Sequence, residues 1–285
     1  MGNWVEIALI IPDSLKDPVS GALSELGAVG LWESGEPAAE HTRLIAYFES
    51  SVSVEVIRDA VNLVFDRAEE VPPEFVCTPV ADRDWAEAWK KSWGSFALAR
   101  RFFVIPSWSD VEPPDDRLPI RIDPGQAFGT GTHETTQLTL QAMEVWIEPR
   151  HTVLDVGTGS GILAIAATLL SARAVYACDT DPVAVEVARE NIERNETQSI
   201  ALMCGSIDAI AAGSVSFVAC NLTAEVIAEI FPEIHRAMRP HGLAVLSGIL
   251  TVQSAAIRLR AATLGLAVLE ETTRGEWCAL VLRKK

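Results

Sequence analysis

Apolar and polar residues alternate from Trp4 to Ile11, which predicts a strand. Over Leu15–Leu26 the apolar spacing becomes that of a helix, and it stops at Gly27. Short strands are expected at Gly30–Glu33 and Leu44–Glu49, a helix at Val54–Phe65, and a further strand at Phe75–Val80. The order β-α-β-β-α-β is that of a split, ferredoxin-like α+β unit, punctuated by Glu36-Pro37 and Pro72-Pro73. Asp82–Phe96 reads as a connecting helix with Trp85, Trp89 and Trp93 at four-residue spacing, either a core-packing stripe or a docking face. Phe102–Pro106 is strand-like, Ser109–Leu118 is an Asp- and Pro-rich loop, and Gln137–Trp146 is helical. From Thr152 onward strands and helices alternate, which predicts a mainly parallel, doubly wound sheet with helices on both faces. Leu243–Ser247 and Cys278–Leu282 read as late strands. This pattern divides the chain into a small domain at 1–80, a linker at 81–97 and an α/β domain at 98–285.

One stretch of the larger domain carries chemistry. Val153-Leu154-Asp155-Val156 reads as a strand, Gly157, Gly159 and Gly161 form a tight turn, and an apolar, Ala-rich segment follows as a helix. Glycines let a backbone approach a ligand, and the helix start offers unpaired N–H groups. The spacing is G-x-G-x-G, without the wider gap of the dinucleotide fingerprint G-x-G-x-x-G. Asp155, two residues before the first glycine, would repel a phosphate and accept bonds from an ammonium or a fixed water. An ordinary α/β turn remains the alternative. The next strand, Ala174–Cys178, runs into Asp179-Thr180-Asp181-Pro182. A carboxylate about 20 residues past the glycines can take both hydroxyls of a ribose, and Asp179 sits where that requires. Asp181 and Pro182 read instead as the N-cap and first residue of a helix.

Two further segments are candidates. Asp123–Thr136 places three glycines and four threonines around Phe128 and His133, directly before a helix. Such a loop is a polar clamp, with Phe128 available to cover an adenine or a reacting methyl, or else a lid with capping threonines. Ser216–Cys220 leads into Asn221-Leu222-Thr223-Ala224. In a sheet of this kind ligands bind outside the carboxyl ends of the strands, so Asn221 either orients an incoming amine or caps the next helix.

Composition narrows the field. The net charge is −16, which argues against a nucleic-acid surface and favours a basic partner. Met1–Phe75 holds 14 acidic and 4 basic residues, so most of the excess lies there; simple solubility is the plainer explanation. The five cysteines are scattered without a C-x-x-C, so neither zinc nor a disulfide framework is expected, and a reducing cytoplasm fits. No metal site, signal peptide or membrane span is expected.

The glycine motif with Asp155 and Asp179 resembles the first motifs of S-adenosylmethionine (SAM) methyltransferases. Three segments narrow this: DPGQAFGTGTHETT (Asp123–Thr136), VLDVGTGSGILAIAA (Val153–Ala167) and Cys220–Ala224 resemble the bacterial ribosomal protein L11 methyltransferase family. DWAEAWK (Asp84–Lys90), Ser247–Leu250 and Glu276-Trp277-Cys278 add to the likeness, which spans nearly the whole chain. Glu134 stands where the family often has Pro, and Asn221–Ala224 replaces N-I-L-A. The resemblance implies a Rossmann-like class I methyltransferase domain behind a ferredoxin-like substrate-recognition domain. It implies SAM contacts at Thr136, Gly157, Asp179 and Asn221. The implied substrate is a basic ribosomal protein methylated on lysine ε-amines and its N-terminal amine. Methyl transfer needs alignment and desolvation more than proton transfer, so no essential general base is expected; His133 is the nearest candidate or a structural residue. Phe128, Thr136 and Asn221 are expected to shape the transfer channel, and Gly157, Gly159, Gly161, Asp155 and Asp179 to hold the cofactor. A cytoplasmic monomer is expected. The rival readings are methylation of another protein's lysine or of a small amine, and a nicotinamide-dependent oxidoreductase, against which the missing G-x-G-x-x-G counts.

Overall fold

The computed structural model describes residues 4–28, 30–34, 41–80, 94–123 and 131–285. The chain divides into two compact units, Met1–Gly94 and Ser95–Lys285. Among the described residues no helix is long and apolar enough to cross a membrane.

The first unit follows the predicted order. Strands β1 (Trp4–Pro12), β2 (Gly30–Ser34), β3 (His41–Glu49) and β4 (Val76–Val80) alternate with helices α1 (Lys16–Glu25) and α2 (Val54–Arg67). The sheet runs β2-β3-β1-β4, every pair antiparallel. Side chains alternate across a strand, so Ile7, Leu9 and Ile11 share one face. They pack with Val19 and Leu23 of α1 and with Ile57, Val61 and Phe65, which four-residue spacing puts on one stripe of α2. Gly27, at φ +87°, ends α1, and the Ala28 N–H closes back on the Leu23 carbonyl at 3.1 Å. Strand β3 begins three residues before the alternation suggests, because its ladder with β1 continues to Pro12↔His41. Of the connecting helix read over Asp82–Phe96, residues 82–93, with the three tryptophans, lie outside the described residues. Phe96 itself opens a strand.

The second unit begins with a three-stranded sheet of β5 (Phe96–Leu98), β6 (Phe102–Ile105) and β7 (Leu118–Arg121). Its larger sheet holds β8 (Thr152–Val156), β9 (Ala174–Asp179), β10 (Ala201–Cys204), β11 (Val215–Asn221), β12 (Met238–Leu250), β13 (Leu266–Arg274) and β14 (Trp277–Lys284). The order is β10-β9-β8-β11-β12-β14-β13. The five strands from β10 to β12 are parallel, and β14 is antiparallel to both neighbours. The sheet is thus mainly parallel, as expected, with an antiparallel edge. Arg274 pairs with Trp277 across a two-residue turn with Gly275 at φ +55°, and a hairpin of that length reverses the chain.

Helices α3 (Glu134–Trp146), α4 (Ile162–Leu169), α5 (Pro182–Arg194), α6 (Ala224–Ala237) and α7 (Ser254–Thr263) complete the unit. Residues Ile162 to Ala167 of α4 are all buried, as an apolar, Ala-rich helix enclosed on every side must be. Helix α3 starts at Glu134, three residues before the expected Gln137, so the last residues of the Gly-Thr segment form its first turn. From β8 the chain moves to β9 and β10 on one side and then to β11 on the other. The sheet order thus reverses between β8 and β11, where strand carboxyl ends leave a crevice for ligands.

Candidate functional site

The turn after β8 is held from several directions. The N–H groups of Gly157 and Thr158 donate to the Cys178 carbonyl at 2.9 and 3.0 Å, and Gly161 N–H donates to Thr158 O at 2.8 Å. Gly157, Gly159 and Gly161 have φ of +71°, +53° and +84°. At Gly157 a Cβ would lie 2.5 Å from Leu222 Cδ2, so this glycine makes room for the segment after β11. Part of the glycine requirement is therefore internal packing, not ligand approach alone. Gly161 is the N-cap of α4 and occupies a backbone region that other residues enter at a cost.

Asp155 lies within β8, as the strand reading of Val153–Val156 has it, and is fully buried. Its Oδ2 accepts from Thr158 Oγ1 at 2.7 Å and from Ala164 N at 3.1 Å, lacing the turn to the first residues of α4. Oδ1 is buried without a hydrogen-bond partner. Burial pushes the carboxyl up to about 7; the bonds from Thr158 and Ala164 oppose that rise, and the Asp179 charge adds to it. Asp155 thus shapes the turn from inside. On either side of β8, Cys178 and Cys220 are buried. Burial pushes the Cys178 thiol up to about 12 and raises Cys220 as well, which keeps both protonated and poor nucleophiles.

At the end of β9, half-buried Asp179 accepts Gly159 N–H on Oδ2 and Asp181 N–H on Oδ1, both at 3.0 Å. Asp181 caps α5 by accepting Val183 N–H at 2.8 Å, and Pro182 follows it, the division of labour the sequence predicts. Asn221 is the last residue of β11. Its Nδ2 donates to Thr136 Oγ1 at 3.4 Å, joining residues 85 apart in the chain. Thr223, not Asn221, is the N-cap of α6. Thr136 is buried in the first turn of α3, beside Thr135, whose carbonyl accepts Ser247 Oγ at 3.2 Å. Ser247 stands opposite Asn221 in the β11–β12 ladder.

His133 is the N-cap of α3. Its Nδ1 sits 2.8 Å from Thr135 Oγ1 and accepts Thr135 N–H at 3.3 Å, while the ring meets Trp277 edge-on at 5.1 Å. Phe128 lies outside the described residues. Gly248, which the sequence reading left without a role, has φ +83°, and a Cβ there would fall 2.2 Å from the Leu222 carbonyl oxygen. Its only signal in the chain was a glycine closing a strand motif next to Ser247.

The carboxyl ends of β9, β8 and β11, adjacent in the sheet, therefore carry Asp179, the glycine turn and the Asn221–Thr136 pair. A half-buried carboxylate, backbone N–H groups at a helix start, and a hydroxyl beside an amide suit a ribose, a carboxylate and an amine. This donor chemistry fits a nucleoside joined to an amino acid, as SAM is. Fold and site together define a class I SAM-dependent methyltransferase. A model of the ribosomal protein L11 methyltransferase family matches residues 3–285. The chain is 33% identical to the ribosomal protein L11 methyltransferase of Chloroflexus aurantiacus, covering 99% of this chain and 98% of that one. It is 32% identical to the one from Streptococcus equi subsp. zooepidemicus, covering 100% and 97%. Among solved structures, the ribosomal protein L11 methylase of Lactobacillus delbrueckii subsp. bulgaricus superposes with a TM-score of 0.64 at 34% identity, over 68% of this chain and all of that one. The chain belongs to the ribosomal protein L11 methyltransferase family.

Proposed function

We propose that this protein transfers methyl groups from SAM to amino groups of ribosomal protein L11, on lysine ε-amines and the N-terminal amine. The observation that carries the reading is the likeness to relatives of that name along the entire chain, with Asn221 and Thr136 joined at the sheet's reversal point. SAM, when bound, supplies a methyl group already activated on a sulfonium. Asp179 would take the ribose hydroxyls, and Gly157, Gly159 and Gly161 would let the backbone and the start of α4 approach the cofactor. Thr136 and Asn221 would line the transfer channel, with Phe128 as its aromatic cover. Asn221 spends its amide N–H on Thr136, which leaves the carboxamide oxygen to accept an N–H of the substrate amine and orient its lone pair. Burial disfavours the charged ammonium, so a lysine entering this site is deprotonated by its surroundings more than by a dedicated base.

The N-terminal unit would recognise the substrate. The net −10 of Met1–Phe75 draws a basic protein by long-range attraction. On this reading residues 1–80 are the recognition domain and the unit from Ser95, which opens with β5, is the catalytic domain, and the enzyme works as a monomer in the cytoplasm. Scattered cysteines, unpaired among the described residues, agree with a reducing compartment. The test is mass spectrometry of purified bacterial large-subunit proteins incubated with the enzyme and SAM. Gains in steps of about 14 Da, one methyl each, are expected on L11 alone. No gain on L11 by an enzyme that binds SAM overturns the substrate assignment.

A further inference from the structure

Helix α5 meets the cofactor turn through two residues one turn apart. Gly161 backs onto Ala188, where a Cβ would lie 3.4 Å from the Ala188 Cα. Three residues on, Asn191 is fully buried. Its Nδ2 donates to the Ser160 carbonyl at 2.9 Å, inside the glycine turn. Gly161 N–H is bonded to Thr158 O, so both polar ends of the Ser160–Gly161 peptide are fixed. The other side of the same amide, Oδ1, accepts Asp123 N–H at 3.2 Å and Arg194 Nη1 at 3.0 Å. Arg194 in turn pairs with the Asp123 carboxylate at 3.3 Å. Asp123 is the first residue of the Gly-Thr segment that ends at Thr136.

We infer that Asn191 is a positioning residue for methyl transfer, holding the glycine turn and the start of the 123–136 segment in register. The inference rests on the reading that these two segments hold SAM. One planar amide supplies a donor to one segment and an acceptor to the other, so neither moves without breaking its bond to Asn191, buried at Ser160 and part-buried at Asp123. A residue needed only to fill the core of α5 would be aliphatic, as Ile192 beside it is. An amide here leaves no buried polar atom of its own unpaired.

The experiment is SAM binding by calorimetry on the full chain, with steady-state kinetics on L11 and thermal unfolding of the same samples. Asn191→Asp keeps the volume and the acceptor but cannot donate to Ser160; Asn191→Ala removes both links. Asn191→Asp is expected to weaken SAM binding and raise its KM about tenfold, the size of one lost buried hydrogen bond, and Asn191→Ala to do so at least as strongly, with kcat at saturating SAM changed far less in both. Ile192→Val, on the same helix and away from the turn, is expected to lower the unfolding temperature with SAM affinity unchanged. Wild-type SAM affinity in a folded Asn191→Asp or Asn191→Ala protein overturns the inference. So does an affinity loss in Ile192→Val matching theirs at equal loss of stability, which would make the role structural only. A wild-type protein that binds no SAM fails the cofactor reading itself, and the inference falls with it.

Discussion

At the residue scale, two side chains in the same site do opposite work. Asn221 is half-buried at a strand end with no hydrogen bond on its oxygen among the described residues, while Asp155 is sealed inside the sheet. Replacing Asn221 by Ala is expected to lower kcat about 10²-fold, the cost of a misaligned reacting pair, with little change in unfolding temperature. Wild-type turnover in that variant would remove its role. Asp155 affects stability instead. Its carboxyl titrates near 7 when folded, against an ordinary 3.8. Between those values the folded chain keeps a proton the unfolded chain has released, so stability falls as pH rises from about 4 to about 7. Asp155→Asn should remove that portion of the slope, read from unfolding temperatures across this range. Both the presence of Asp155 and its two residues' distance from Gly157 were legible in the sequence. Which way its carboxylate turned was not, because it depends on Thr158 and Ala164 folding back over it.

At the element scale, local capping was legible where the cap is a short-range affair. Asp181-Pro182 announces α5, and Asp181→Ala should cost about 1 kcal/mol, measured by denaturant unfolding. Helix α3 shows the opposite case. Its start was placed at Gln137 because Thr135 and Thr136 look like loop residues, yet both are buried. Their hydroxyls are met by His133 and Asn221, and the Thr139 hydroxyl bonds the Thr135 carbonyl. Threonines satisfied in this way can face a core, and a hydrophobic periodicity does not register them. The late hairpin of β13 and β14 escaped for a related reason. A two-residue turn at Gly275-Glu276 is a weak signal beside a long run of alternating strands and helices.

At the scale of the whole molecule, charge and topology set the expectations. On the proposed function an acidic enzyme meets a basic substrate, and the fields that steer such an encounter are screened by salt over about 8–10 Å at physiological ionic strength. Raising salt from about 50 to about 500 mM should raise KM for L11 several-fold with little effect on kcat, because screening weakens encounter and not chemistry. A KM that ignores salt would separate the acidic N-terminal unit from recognition. The sequence by itself determined the two kinds of layer, the glycine turn, Asp179 and the candidate Asn221. Each is written in a window of a few residues, by periodicity or by a residue type at a fixed offset. Only the tertiary structure decided that Asn221 meets Thr136 across 85 residues, that Leu222 presses on Gly157 and Gly248, and that Asn191 joins two separate segments. Those contacts depend on strand order and register, which sum many weak, long-range choices and leave no mark at any single position.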